Sequence, residues 1–269
     1  MYTVQKREAI LDADKLPPWR LLEFKSSGKK YSFPFRLCLR PVRTFSESLV
    51  RTEFSYVAEN LLLRGGYSKS HFQADQTTLQ NVSEMGKLET SAPMTLEYPA
   101  YEVFPLRFTR NRALLRAPAV MRFKEPILQS AIRQNLSLQP NLEKFCKQLS
   151  LPVASVDLEV LGEKALPEGH VDILLKQRTP IGLATKIPIE VKTKEAKEKD
   201  FEQVRGYMHE LRGECPAAVL VAASFSKRVL FIGKESGIHL VRYTLNVDLD
   251  KSPTFDEICQ GLVLEPISN

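Results

Sequence analysis

The spacing of apolar residues changes character near the middle of the chain. Over residues 31–43 (YSFPFRLCLRPVR) the side chains of Phe33, Phe35, Leu37 and Leu39 alternate with polar ones, the period-two pattern of a β-strand. Residues 95–108 read the same way, interrupted by prolines that suit edge strands and turns. Between these stretches, residues 46–63 carry apolar side chains at helical spacing and stop at Gly65-Gly66, while 68–89 are polar enough for an exposed, irregular segment. The first part is therefore predicted to be mainly β.

The second part alternates helix and strand. Residues 125–136 (EPILQSAIRQNL) predict a helix with Pro126 in its first turn. Short strands are predicted over 156–161, 169–176 and 187–193, the last two joined by a loop containing Pro180 and Gly182. An amphipathic helix over 197–211 follows, then a buried strand over 217–223 and another strand over 238–245. That order predicts an α/β fold, a mixed central sheet flanked by helices, preceded by an N-terminal mainly β (α+β) domain. The junction is expected near 116–123, giving domains 1–120 and 121–269.

Charge sharpens this division. The 269 residues are 43% hydrophobic and 26% charged, a balance that excludes a disordered tail, a collagen-like fibre or a small disulfide-stapled scaffold. Formal net charge is +6, but residues 1–124 hold 20 Lys and Arg against 12 Asp and Glu, whereas 125–269 hold 18 against 20. Of the 23 aromatic residues, 16 precede residue 125. A basic, aromatic-rich part beside a slightly acidic one suits a protein that grips a polyanion with the first and holds carboxylates for chemistry in the second. The plainer alternative is a solvated basic surface over an aromatic core. Cys38, Cys146, Cys215 and Cys259 lie far apart without a CxxC pair, so reduced thiols are expected rather than a zinc or iron–sulfur centre. The longest apolar run, 217–223, is about a third of a membrane-spanning length. The opening MYTVQKR lacks the apolar core of an export signal, so a cytoplasmic, prokaryotic-type protein acting at the nucleoid is expected.

The chemistry concentrates in three segments: Gly169-His170-Val171-Asp172-Ile173, then Ile189-Glu190-Val191-Lys192, then Gln203-Val204-Arg205-Gly206-Tyr207. Side chains two apart share a strand face, so Glu190 and Lys192 point together. If the two strands pair, Asp172 and Glu190 face each other closely enough to share a divalent cation. Two carboxylates on rigid strands suit Mg2+, a hard cation that keeps several waters. Lys192 beside the ion could orient or deprotonate a water, or offset charge developing at phosphorus. Gln203 and Tyr207, four apart on one helix face, can both reach the same site. The bland alternative for Glu-x-Lys is a solvated ion pair, and for His170 a structural role. Glu159, alternating with Leu158 and Val160, is a weaker carboxylate candidate.

These residues resemble the PD-(D/E)xK nuclease superfamily: Gly-x-x-Asp followed by a hydrophobic residue, a spacer, hydrophobic-x-Glu-x-Lys on a strand, then Gln-x-x-x-Tyr on a helix. The part from about 125 to 245 is similar to the carboxy-terminal nuclease domain of NucS/EndoMS mismatch endonucleases, and restriction-type endonucleases share the core. The resemblance implies a Mg2+-dependent DNA endonuclease, with Mn2+ able to substitute. It implies Asp172, Glu190, Lys192, Gln203 and Tyr207 as catalytic residues, and Asp172, Glu190, the Val191 carbonyl and Glu125 around the ion. Duplex DNA, distorted or intact, is the implied partner, and cutting both strands would call for a homodimer. Arg36, Arg40, Arg43, Arg107, Arg110, Arg112 and Lys194 are the candidate DNA contacts, against a plain solvated basic face. Sequence-specific cutting, mismatch-specific cutting, a RecB-like exonuclease, RNA cleavage and an inactive nucleic-acid-binding protein with a nuclease-like fold remain alternatives at this point.

Overall fold

The structure, a computed structural model, describes residues 2–13, 22–23, 25–28, 30–31, 33–41, 44–45, 88–89, 100–116, 118–166, 169–178 and 183–267. The helix expected over 46–63 and most of the irregular segment over 68–89 lie outside the described residues, as do Pro180 and Gly182. The chain divides into two compact units.

The first unit draws on Met1–Leu49, Met85–Arg122 and Leu249–Thr254. Its longest elements among the described residues are β1 (Tyr2–Ala9) and β4 (Phe35–Pro41), paired antiparallel with Arg7 opposite Leu37 and Ala9 opposite Phe35. Short pairs complete the strands: β2 (Leu22–Glu23) with β3 (Lys30–Tyr31), β5 (Thr44–Phe45) with β6 (Leu88–Glu89), and β7 (Arg107–Thr109) with β8 (Val120–Arg122). The alternation read from residues 31–43 is present in β4, but its apolar side chains Phe35, Leu37 and Leu39, with Phe33 before them, are exposed. A two-stranded ribbon has no second layer of its own to cover that face. The strand expected over 95–108 is reduced, among the described residues, to β7 at its end and a bridge at Val103. The late segment 249–254 joins this unit through the Thr109 hydroxyl, which donates to the Leu249 carbonyl at 2.9 Å, and the Phe108 N–H, which donates to Pro253 at 2.9 Å.

The second unit is built on one six-stranded mixed sheet. Helix α1 (Glu125–Leu136) starts with Glu125 and Pro126 in its first turn, where a carboxylate meets the positive end of the helix. Its buried stripe is Leu128, Ala131, Ile132 and Leu136. Helix α2 (Gln139–Gln148) follows, and then β9 (Leu158–Leu166), β10 (Gly169–Gln177) and β11 (Lys186–Ala196) form an antiparallel meander. Helix α3 (Glu198–Leu211) crosses over to β12 (Ala218–Phe225), which runs parallel to β11. Asp200 fixes the start of α3 by accepting the Lys197 N–H at 2.8 Å. A second crossover through α4 (Lys227–Ile232) leads to β13 (Ile238–Leu245), again parallel. Helix α5 (Phe255–Gly261) and β14 (Leu262–Pro266) close the sheet antiparallel to β13, giving the order β14-β13-β12-β11-β10-β9.

Strand β12 is central and buried on both faces, which explains its unbroken apolar run 217–223. Leu220 and Ala222 pack with Phe201 and Val204 of α3 and with Val229 of α4. Among the described residues no helix is long and apolar enough to cross a membrane. Leu220 is 0% exposed and Leu138 57%. Leu220→Ala is therefore expected to lower unfolding stability by about 2–5 kcal/mol, and Leu138→Ala to change it by less than about 0.5 kcal/mol. Urea midpoints at constant slope measure both.

Candidate active site

The site begins where β10 and β11 part. Their ladder runs from Lys176 opposite Lys186 to Ile173 opposite Ile189. One step further stand Asp172 and Glu190. There the Val191 N–H donates at 2.8 Å to Asp172 Oδ2, so a side chain takes over where backbone pairing stops.

Glu190 is 2% exposed. Its Oε1 accepts from Lys192 Nζ at 2.6 Å, while Oε2 is buried with no hydrogen-bond partner. Glu125, at the first turn of α1, reaches the same place: its Oε1 lies 3.9 Å from Lys192 Nζ, and its Oε2 accepts the Thr193 N–H at 3.4 Å. One turn along α1, Gln129 lies near the Asp172 carboxylate and favours its charged form. The sequence reading missed Gln129. The signal available for it was its spacing of four from Glu125, which places both on one helix face.

Burial pushes the Asp172 carboxyl up to about 6, against the pull of the Val191 N–H and the Lys192 charge. Burial, followed by repulsion from Asp172, pushes Glu190 up to about 7. Burial works to lower the Lys192 ammonium, but the Glu190 carboxylate, with the charges of Glu125 and Asp172, outweighs it and the net shift is upward. At neutral pH Lys192 therefore carries its proton.

Gln203 and Tyr207 adjoin this cluster from α3. The Gln203 amide donates to the Tyr207 hydroxyl, which donates at 2.8 Å to the His170 carbonyl on β10. Tyr207 is pushed up to about 12, first by burial, with the negative charges of Glu190 and Asp172 adding to it. The pair thus ties α3 to the strand that carries Asp172. His170 itself takes part through its backbone.

The remaining sequence candidates lie elsewhere. Glu159 stands opposite Lys176 and pairs with it at 3.8 Å, four residues along β10 from Asp172, or about 13 Å at ~3.3 Å per residue. Lys194 is exposed on β11. In the first unit, the Arg36 guanidinium donates to the carbonyls of Phe33 at 2.7 Å and Ala13 at 3.2 Å, and Arg107 donates to the Ser252 carbonyl at 3.0 Å. Arg40, Arg110 and Arg112 are exposed, and Arg43 lies outside the described residues.

The donor set fits a hard divalent cation in one respect above all: the buried, unpartnered Glu190 Oε2 sits beside a second carboxylate, and a cation there would satisfy both. Among the described residues no group of three or more His, Cys, Asp or Glu side chains is arranged to hold a metal ion by itself. Glu125 is turned to Lys192 and Thr193, so two carboxylates completed by water are the arrangement these positions suit.

No protein-family profile and no curated protein matches the chain. Among solved structures the chain is similar to EndoMS, in a complex with double-stranded DNA, at 16% identity over 50% of this chain and 50% of that one, with a TM-score of 0.33. It is also similar to a repair endonuclease from Pyrococcus abyssi at 18% identity over 37% of this chain and 44% of that one, with a TM-score of 0.27. The chain spans about half the length of these proteins or less. What the site can do follows from its own side chains.

The raised carboxyls give a pH dependence with a definite sign. Between about pH 4 and 7 the folded site keeps protons that the unfolded chain has already released, so these two groups make stability fall as pH rises through that window. In EDTA, Asp172→Asn combined with Glu190→Gln is expected to remove this downward contribution. Melting temperatures of both proteins from pH 4.5 to 7.5 read the difference, and parallel curves would contradict it.

Proposed function

We propose that this chain is a Mg2+-dependent endonuclease that hydrolyses DNA phosphodiester bonds at the Asp172–Glu190–Lys192 site, with Mn2+ able to replace Mg2+. The observation that carries the reading is the Glu190 carboxylate, buried in the sheet with Oε2 unpartnered, next to Asp172 and held by Lys192. A fold keeps such a costly group only when something outside the chain completes it, or when it is retained for function.

Asp172 and Glu190 would hold the ion with the Val191 carbonyl and water, and Glu125 would act from the edge of the set. The ion, when bound, supplies a water of lowered pKa and offsets charge on the phosphate oxygens. Lys192, protonated at neutral pH, is placed to stabilise the charge that builds on the phosphoryl group and to orient the attacking water. That form favours these roles over proton abstraction. Gln203 and Tyr207 hold α3 against β10 and so fix the position of Asp172. The basic excess of residues 1–124 supports DNA recognition by the first unit, in which Arg40, Arg107, Arg110 and Arg112 are exposed candidates. A homodimer would supply the second site needed to cut both strands.

Asp172→Ala, Glu190→Ala and Lys192→Ala are each expected to reduce cleavage by at least about a hundredfold while DNA binding in Ca2+ persists. Cleavage of unmodified plasmids and of mismatched or branched oligonucleotides, with the ends sequenced, checks this. It also separates sequence-specific from structure-specific cutting. Wild-type protein that cuts none of these substrates in Mg2+ or Mn2+ would end the proposal.

A further inference from the structure

Beyond Lys192 the regular pairing of β11 with β12 slips by one residue. Lys192 stands opposite Ala222, but Glu195 stands opposite Ser224, so β11 carries one residue more than its neighbour between these pairs. Such a bulge removes backbone groups from the ladder and re-aims the chain. At Thr193 both groups find side-chain partners from other elements. Its N–H donates to Glu125 Oε2 of α1 at 3.4 Å, and its carbonyl accepts from the Tyr243 hydroxyl of β13 at 2.8 Å.

Tyr243 is not on a strand adjacent to β11. It lies one residue past Arg242, which pairs with Ala222, and its phenol reaches beyond β12 to the bulge. At that level β12 carries Ala222 and Ala223, small enough to let the ring pass. The residue is 5% exposed, a setting in which an unmade hydrogen bond is costly.

We propose that Tyr243 is a positioning residue for the nuclease site: its hydroxyl clamps the Thr193 bulge, the bulge amide orients Glu125, and Glu125 faces Lys192. The inference rests on the nuclease reading for its purpose, but the clamp itself is a property of the fold. Residues that orient a metal site's ligands from behind commonly change ion affinity by about 10–100-fold. Tyr243 acts one link further out, so an effect near the lower end is expected.

The test compares wild type with Tyr243→Phe, which removes one hydroxyl and keeps the ring. Three quantities are read: amide hydrogen exchange over 192–195, the Mg2+ concentration that half-saturates the rise in melting temperature, and cleavage kinetics. The variant is expected to unfold cooperatively, to exchange faster over 192–195, and to need about tenfold more Mg2+. Its kcat should fall while KM for DNA holds. Unchanged exchange, or faster exchange with unchanged Mg2+ half-saturation, would overturn the inference. So would loss of cooperative unfolding, because the hydroxyl would then support the whole fold rather than the bulge. A wild-type protein indifferent to Mg2+ and inert toward DNA would sink the nuclease reading alone, and the exchange data would still judge the clamp.

Discussion

The second unit is organised around keeping one carboxylate, Glu190, out of water in the middle of a sheet. A buried ionised carboxyl without partners costs many kcal/mol, so the surroundings must either supply partners or leave it protonated. This fold does some of each. Lys192 donates to one oxygen, the second oxygen is left bare, and burial with the neighbouring Asp172 lifts the group to about 7. The strands separate there because Asp172 takes the Val191 N–H that a continuing ladder would have used. Local pairing has been exchanged for a cluster of charge.

The position of that cluster follows from the sheet topology. Strand β11 is one of two strands at which pairing changes sense: antiparallel to β10 on one side, parallel to β12 on the other. Its carboxyl end leads directly into the crossover helix α3. Asp172 stands within β10 and Glu190 and Lys192 within β11, where these two senses of pairing meet. Here the change of sense separates the meander β9–β10–β11 from the crossovers that follow. Asp172 comes from the first group of elements, and Gln203 and Tyr207 come from the second.

Much of this was legible in the residues. Alternation over 169–176 and 187–193 located both strands, and the two-residue spacing of Glu190 and Lys192 put them on one face. Helix α1 was readable because Pro126 and an acidic first turn mark a helix start. What stayed hidden depends on contacts distant in sequence. Gln129 matters only once α1 is rotated against β10, and the role of Tyr243 needs the order of three strands and a one-residue slip between two of them. Helix α2 was missed because its prolonged polar stretches mask a stripe of three buried residues, Leu142, Phe145 and Cys146.

A formal charge does not reveal whether its side chain is available to a partner. A count treats every arginine as available to a polyanion, yet Arg36 and Arg107 direct their guanidinium groups to backbone carbonyls within the first unit. A guanidinium engaged in this way still contributes to the long-range potential, but it has fewer donors left for a phosphate. Arg40, Arg110 and Arg112 are exposed, as Arg107 is. Among the described residues, basic side chains of 1–124 thus differ in how far their donors are already used. Net charge alone cannot tell these apart, because the distinction is made by geometry.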